Sequence, residues 1–286
     1  MTFEEYLNDA WASHQGQPAE LLKNFRSHFS LINSSDEVTS MGHLIAHVSG
    51  EHLGEWGKGV QLLEELRENP HVKDKEGLNR FIAALSLGED EKFSLNSFSD
   101  SDKVRILAMT ASALATQNNL ARAAKYFTEA EEICKQKLDK KDPANKNLAI
   151  AGNNLACALE EKETLSQEET NLMIHAAFTA RKFWEIAGTW LEIERAEYRL
   201  AKIFLKADIL DKAYAHAEKC LEIISDNGSE PLEEFFGLEV IALIEKAKGN
   251  ELGKKEAHQG MCETFNKINP EDQTWCKETL EKVAGA

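Results

Sequence analysis

The strongest candidate for chemistry is the run His43-Leu-Ile-Ala-His47, followed by Glu51 and His52. On a helix turning about 100° per residue, His43 and His47 fall about 40° apart and Glu51 about 80° from His43, so two imidazoles and a carboxylate could share one zinc-binding stripe. His14, His28, His71, His175, His216 and His258 stand at no ligand spacing. Gly54, Gly57 and Gly59 around Lys58 lack the order of a phosphate-binding loop, and no G-x-S-x-G, H-E-x-x-H or calcium-loop pattern is present. No catalytic residue, enzymatic activity or cofactor is therefore expected. A metal-dependent helical protein or enzyme centred on His43, His47 and Glu51 is the alternative reading.

The elements that carry these residues are expected to be helices throughout. The 286 residues include only 5 prolines, none of them between Pro143 and Pro231, a spacing that an all-β chain with frequent turns would not match. Against 49 Asp and Glu stand 33 Lys and Arg, for a net charge of −16, which disfavours phosphate backbones and anionic lipid as general partners. The start MTFEEYLNDAW is acidic where a secretory signal is basic, and the longest apolar run, Ile106 to Ala115, falls short of the roughly 20 residues that cross a bilayer. A cytoplasmic protein without membrane insertion or nucleic-acid partner is expected. Cys134, Cys157, Cys220, Cys262 and Cys276 are odd in number and form no C-x-x-C pair, so they read as reduced thiols in apolar packing.

Helix starts recur at a regular interval. Ser99, Asp142 before Pro143, Thr189 and Ser229 ahead of Pro231 form one series of N-cap candidates; Asn118, Ser166, Asp208 and Asn250 form a second, interleaved one. Ser166 with Glu169 and Thr189 with Glu192 are capping boxes. Two series imply a two-helix unit of roughly 42 to 45 residues. In the first, Val104, Leu107, Ala111 and Leu114 line one helix and Leu120, Ala123, Phe127 and Ala130 a second, the alanines permitting close approach.

This order of residues resembles the tetratricopeptide repeat, and the stretch with Asn153-Asn154-Leu155-Ala156 after a proline-led turn is similar to the longer repeats of the kinesin light chain type. Ala111, Ala156, Ala201 and Ala242 fall in equivalent small-residue slots, and Gly54 to Pro70 is similar to a second helix with its closing proline. Glu197 and Glu245 depart from the pattern, standing where the family has large apolar residues, and the loop Lys162 to Ser166 is enlarged. The resemblance implies an all-α solenoid of antiparallel hairpins with a right-handed superhelix. Residues 1–100 would hold irregular hairpins, including one repeat-like unit at 39–70. Residues 101–286 would hold four repeats and a final helix, opening at Asn269-Pro270, whose Trp275, Leu280 and Val283 cap the array. Tyr6 to Trp11 and Leu21 to Phe29 read as one degenerate helical pair, and Gly88 to Ser99 as a loop or one short helix that could hinge.

The same resemblance implies a concave groove lined by first helices, with Arg105, Asn153, Asn154, Arg195, Tyr198, Arg199 and Lys202 facing into it. Asn154, Arg195 and Arg199 fill three places of the family's carboxylate clamp, while Ala108 and Ser112 replace its Lys and Asn. Asn amides fix an extended backbone and Arg forks suit carboxylates, so the expected partner is a protein or an acidic peptide segment, held by a non-enzymatic scaffold or adaptor. Pairing of Arg195 and Arg199 with Glu192, Glu194 or a neighbouring repeat is the competing account, and a peptide-sensing regulator is a further alternative. The frame set by Gly54-Glu55-Trp56 places His43 and His47 in buried inter-helix slots, favouring packing over ligation. Phe183, Trp184, Trp190 and Phe204 are expected in the inter-repeat core.

Overall fold

Side-chain oxygens at helix starts set the element boundaries in a computed structural model of the chain, which describes residues 1–73 and 75–285. Among the described residues there are fourteen α-helices and no strand. The first five are α1 (Phe3–Ser13), α2 (Pro18–Asn24), which runs into a 3-10 helix at Phe25–Leu31, α3 (Ser35–Ala46), which runs into a π-helix at His47–His52, α4 (Trp56–Arg67) and α5 (Glu76–Glu89). Then follow α6 (Asp100–Thr116), α7 (Leu120–Lys137), α8 (Ala144–Glu160), α9 (Gln167–Ala187) and α10 (Trp190–Lys206). The last four are α11 (Leu210–Asn227), α12 (Pro231–Ala247), α13 (Glu251–Phe265) and α14 (Pro270–Gly285). No described helix is long and apolar enough to cross a membrane.

Ser99 accepts the amide of Asp102, Asn250 accepts that of Gly253, and Ser166 and Thr189 close full capping boxes with Glu169 and Glu192. Asp142 accepts the Ala144 amide at 2.8 Å where α8 begins. Three expected caps fail. Ser229 precedes Glu230, the residue that flanks α12, and Asn118 and Asp208 lie at the ends of α6 and α10 with φ of 57° and 58°. Their short polar side chains tolerate the left-handed region, so they serve as helix terminators. Each sits in a Schellman turn, in which Asn119 N bonds Leu114 O and Ile209 N bonds Phe204 O. Gly249 repeats the turn between α12 and α13 with φ of 73°, whereas Gly54, with φ of 61°, closes the π-helix ahead of α4 by a wider turn in which Glu55 N bonds Ser49 O.

The turns at Asn118, Asp208 and Gly249 fold α6 on α7, α10 on α11 and α12 on α13, and α4 packs on α5 across a longer connection. The small-residue slots explain the closeness, since Ala111, Ala156 and Ala201 are 0 % exposed and Ala242 is 1 % exposed. By contacts the chain divides into two compact units, Met1–Ala158 and Leu159–Ala286. The core of the first includes Phe25, Met41, Leu44, Ile45, Leu63 and Leu66; within the second, Phe235, Met261, Ile268, Cys276 and Val283 form one cluster under α14. Trp275 of α14 is 51 % exposed and stacks on Phe236 instead of entering that cluster. The segment 90–99 carries no helix, and α5 extends through Gly88. The five cysteines are free thiols, three of them buried.

Candidate functional site

The capping box at Thr189 sets the phase of α10, and from it Arg195, Tyr198, Arg199 and Lys202, spaced i, i+3, i+4 and i+7, form one stripe. Each meets a carboxylate from α8 or α12. Arg195 Nε donates to Glu233 Oε1 at 3.0 Å, with a second bond from Nη2 to the same oxygen. Tyr198 donates to Glu239 Oε2 at 2.8 Å, and Lys202 Nζ lies 3.5 Å from Glu239 Oε1. Arg199 donates from Nη1 to Glu160 Oε2. Three cations thus face Glu160, Glu233 and Glu239, for a formal sum of zero, and the stripe presents alternating charge instead of a bare positive surface. Burial pushes the Tyr198 phenol well above its ordinary value, with the Glu239 charge adding. The Glu233 bond holds the Arg195 guanidinium above its own.

Off the stripe, α10 carries two buried acids. Glu197 accepts from Arg181 Nε at 2.6 Å and lies 2.6 Å from His216 Nδ1, which ties α9, α10 and α11 together and accounts for an acid in a slot expected to be apolar. Burial alone would raise its carboxyl; the bonds from His216 and Arg181 outweigh that and hold it below the ordinary range. Glu194 receives the Cys220 thiol at 2.7 Å. Its carboxyl is pushed up to about 8, by burial first, with the Cys220 bond opposing and the Glu233 charge adding.

The remaining groove candidates belong to the first unit. Asn154 Nδ2 donates to Ser112 Oγ at 3.5 Å, which joins α8 to α6, and Asn153 beside it is half-buried. Arg105 is half-buried, and its Nε has no partner. Arg80 bonds Asp102 at 2.9 Å nearby. Burial raises the Asp102 carboxyl, but the bonds from Ser99 and Arg80 and the charges of Arg80 and Arg105 bring it below its usual range.

The histidine run is arranged differently from the expected stripe. His43 is exposed, outside the buried slot expected of it, with its ring stacked on Phe81 at 5.9 Å between ring centres and packed on Trp11. Desolvation by these neighbours, with the His47 charge adding and Glu51 opposing, lowers its pKa. His43, His47 and Glu51 line a cavity of about 40 Å³, room for a water molecule. The π turn puts residues five apart nearly above one another, so His52 replaces His43 as the neighbour of His47, with their Nε2 atoms 3.1 Å apart. His14, the C-cap of α1 and without ligand spacing in sequence, packs at a tilt on His47 and edge-on to His52, with ring centres 5.1 Å and 5.0 Å away.

Glu160 is a groove position by repeat spacing, but its pairing with Arg199, and those of Glu233 and Glu239 with the stripe, depend on the register of successive helix pairs, which sequence periodicity gives only to a few residues. His14 and His52 were missed because a uniform α-helical period hides a π turn. Comparisons with family models, curated proteins and solved structures return no match to the chain.

Proposed function

We propose that the chain is a non-enzymatic scaffold or adaptor of the tetratricopeptide-like solenoid class, which binds a protein or peptide partner along the α10 stripe. The observation that supports this reading most is a ladder of side-chain bonds one repeat apart. Ser101 to Asp142, Ser112 to Asn154, Glu160 to Arg199, Arg195 to Glu233 and Tyr198 to Glu239 are each separated by 38 to 42 residues. Equivalent positions of successive first helices lying side by side is what stacking of repeats requires. Arg195 uses two of its five donors on one Glu233 oxygen, and its side chain is 56 % exposed, so donors remain for a ligand carboxylate while Glu233 keeps the arginine in place. Alternating charge further suits a peptide that offers both acceptors and donors, with an acidic residue or chain terminus at Arg195.

A panel of labelled peptides, acidic, neutral and basic, with free or amidated C-termini, titrated by fluorescence anisotropy tests this. Acidic peptides with a free carboxylate should bind best, and Arg195→Gln with Lys202→Gln should weaken them about tenfold or more while circular dichroism is unchanged. Equal binding of all peptides, or a variant that binds as the parent does, would remove the stripe as the site.

A further inference from the structure

We propose that His14, His47 and His52 form a three-histidine site for a zinc ion, built on the π turn of the first unit. One ligand atom from each lies within 4.8 Å of the others. The Nε2 atoms of His47 and His52 are 3.1 Å apart, close to the roughly 3.3 Å between nitrogens bound tetrahedrally at about 2.0–2.1 Å.

The supporting shell has the form such sites use, in which the second ring nitrogen is held by an acceptor so that the first is left to ligate. His47 Nδ1 lies 3.3 Å from Glu51 Oε1, and His14 Nδ1 contacts the Trp11 carbonyl at 2.5 Å, which leaves Nε2 of each for the ion. The Trp11 ring packs against His14 and His47, at 5.2 Å from each, and walls one side.

The π turn itself is held in place from outside. Ser49 Oγ donates to Ile45 O at 2.6 Å, and the Glu51 carbonyl accepts from Thr116 Oγ1 at 2.9 Å and Gln117 Nε2 at 2.7 Å. A Cβ at Gly59 would overlap Ser49 and Leu85, so α4 crosses the turn too closely for a side chain there. An all-nitrogen set favours zinc over magnesium or calcium, which take oxygen ligands. Three protein ligands leave a fourth position, which water would fill.

The full chain, stripped of metal, is titrated with zinc chloride alone and followed by calorimetry and by thermal unfolding. One zinc per chain and a raised unfolding temperature are expected, with His14→Ala and His52→Ala each lowering affinity at least about 100-fold and Glu51→Gln about tenfold. His71→Ala should bind as the parent does. His52→Asn, closer in size and polarity, should lose zinc as His52→Ala does while its metal-free circular dichroism matches the parent, which separates ligation from folding. Failure of the parent to take up zinc overturns the proposal. So does a His52→Ala chain that binds zinc like the parent, an outcome that would return the ion to His43, His47 and Glu51.

Discussion

Glu194 is an acid that burial forces to keep its proton near neutrality. With its carboxyl pushed up to about 8, against about 4.3 for an unperturbed glutamate, the folded chain holds this proton more tightly than the unfolded chain does. Its contribution to stability is therefore fully present below the unfolded value and is lost as pH rises through about 8. Glu194→Gln keeps the shape, removes the titration and leaves an amide to pair with Cys220 and Glu233. Urea unfolding at pH 6 and pH 9 should show the parent losing about 2 kcal/mol more than the variant over that interval. A parent-to-variant difference that stays constant with pH would mean that Glu194 is ionised in the fold. Cys220, whose thiol burial also pushes above its ordinary value, is present in parent and variant alike, so its titration in the unfolded chain cancels in the comparison.

Three of the helical hairpins, α6–α7, α10–α11 and α12–α13, turn on a single residue with positive φ. At Gly249 nothing lies within 4 Å of where a Cβ would stand, so Gly249→Ala tests the backbone term alone and should cost about 1 kcal/mol in denaturant unfolding. Asn118→Gly and Asp208→Gly remove the same strain in the opposite sense and should be neutral or stabilising by a few tenths of a kcal/mol. Loss of stability in either Gly variant would show that the Asn or Asp side chain, not the φ angle, holds the turn. The same positions show what the sequence could disclose. Ser99, Ser166 and Thr189 were legible as helix starts because a cap is a local bond between residues two or three apart. Asn118 and Asp208 were misread because Asn and Asp serve equally as N-caps and as left-handed terminators, and only the direction of the chain separates the two. The buried alanines were legible from spacing. The pairings of acids with the α10 stripe were not, since a carboxylate's partner across hairpins depends on the register of packing. Helix α5 escaped for a related reason: Glu76 to Glu89 matches neither repeat series.

At the largest scale, a packed helix pair leaves an apolar face at its open side, and in the second unit α14 determines whether that face meets water. In the second unit Phe235 and Met261 are fully buried, and Cys276 and Val283 of α14 belong to their cluster, with Leu280 packed against it. The expected capping trio of Trp275, Leu280 and Val283 is thus partly replaced: Cys276 takes the inward position and Trp275 covers Phe236 from outside. A chain shortened to end at Asn269 uncovers this cluster. Burial of two to three such side chains is worth about 4 kcal/mol, so the shortened chain should unfold at a clearly lower temperature and bind an apolar fluorescent dye in its native state. Val283→Asp, which keeps the helix but places a charge in the cluster, should reproduce both effects, whereas Trp275→Ala should give a smaller loss because half of that ring is already in water. Unchanged unfolding of both the shortened chain and Val283→Asp would mean that α14 contributes nothing to the second unit, and that Phe235 and Met261 are sheltered by α12 and α13 alone.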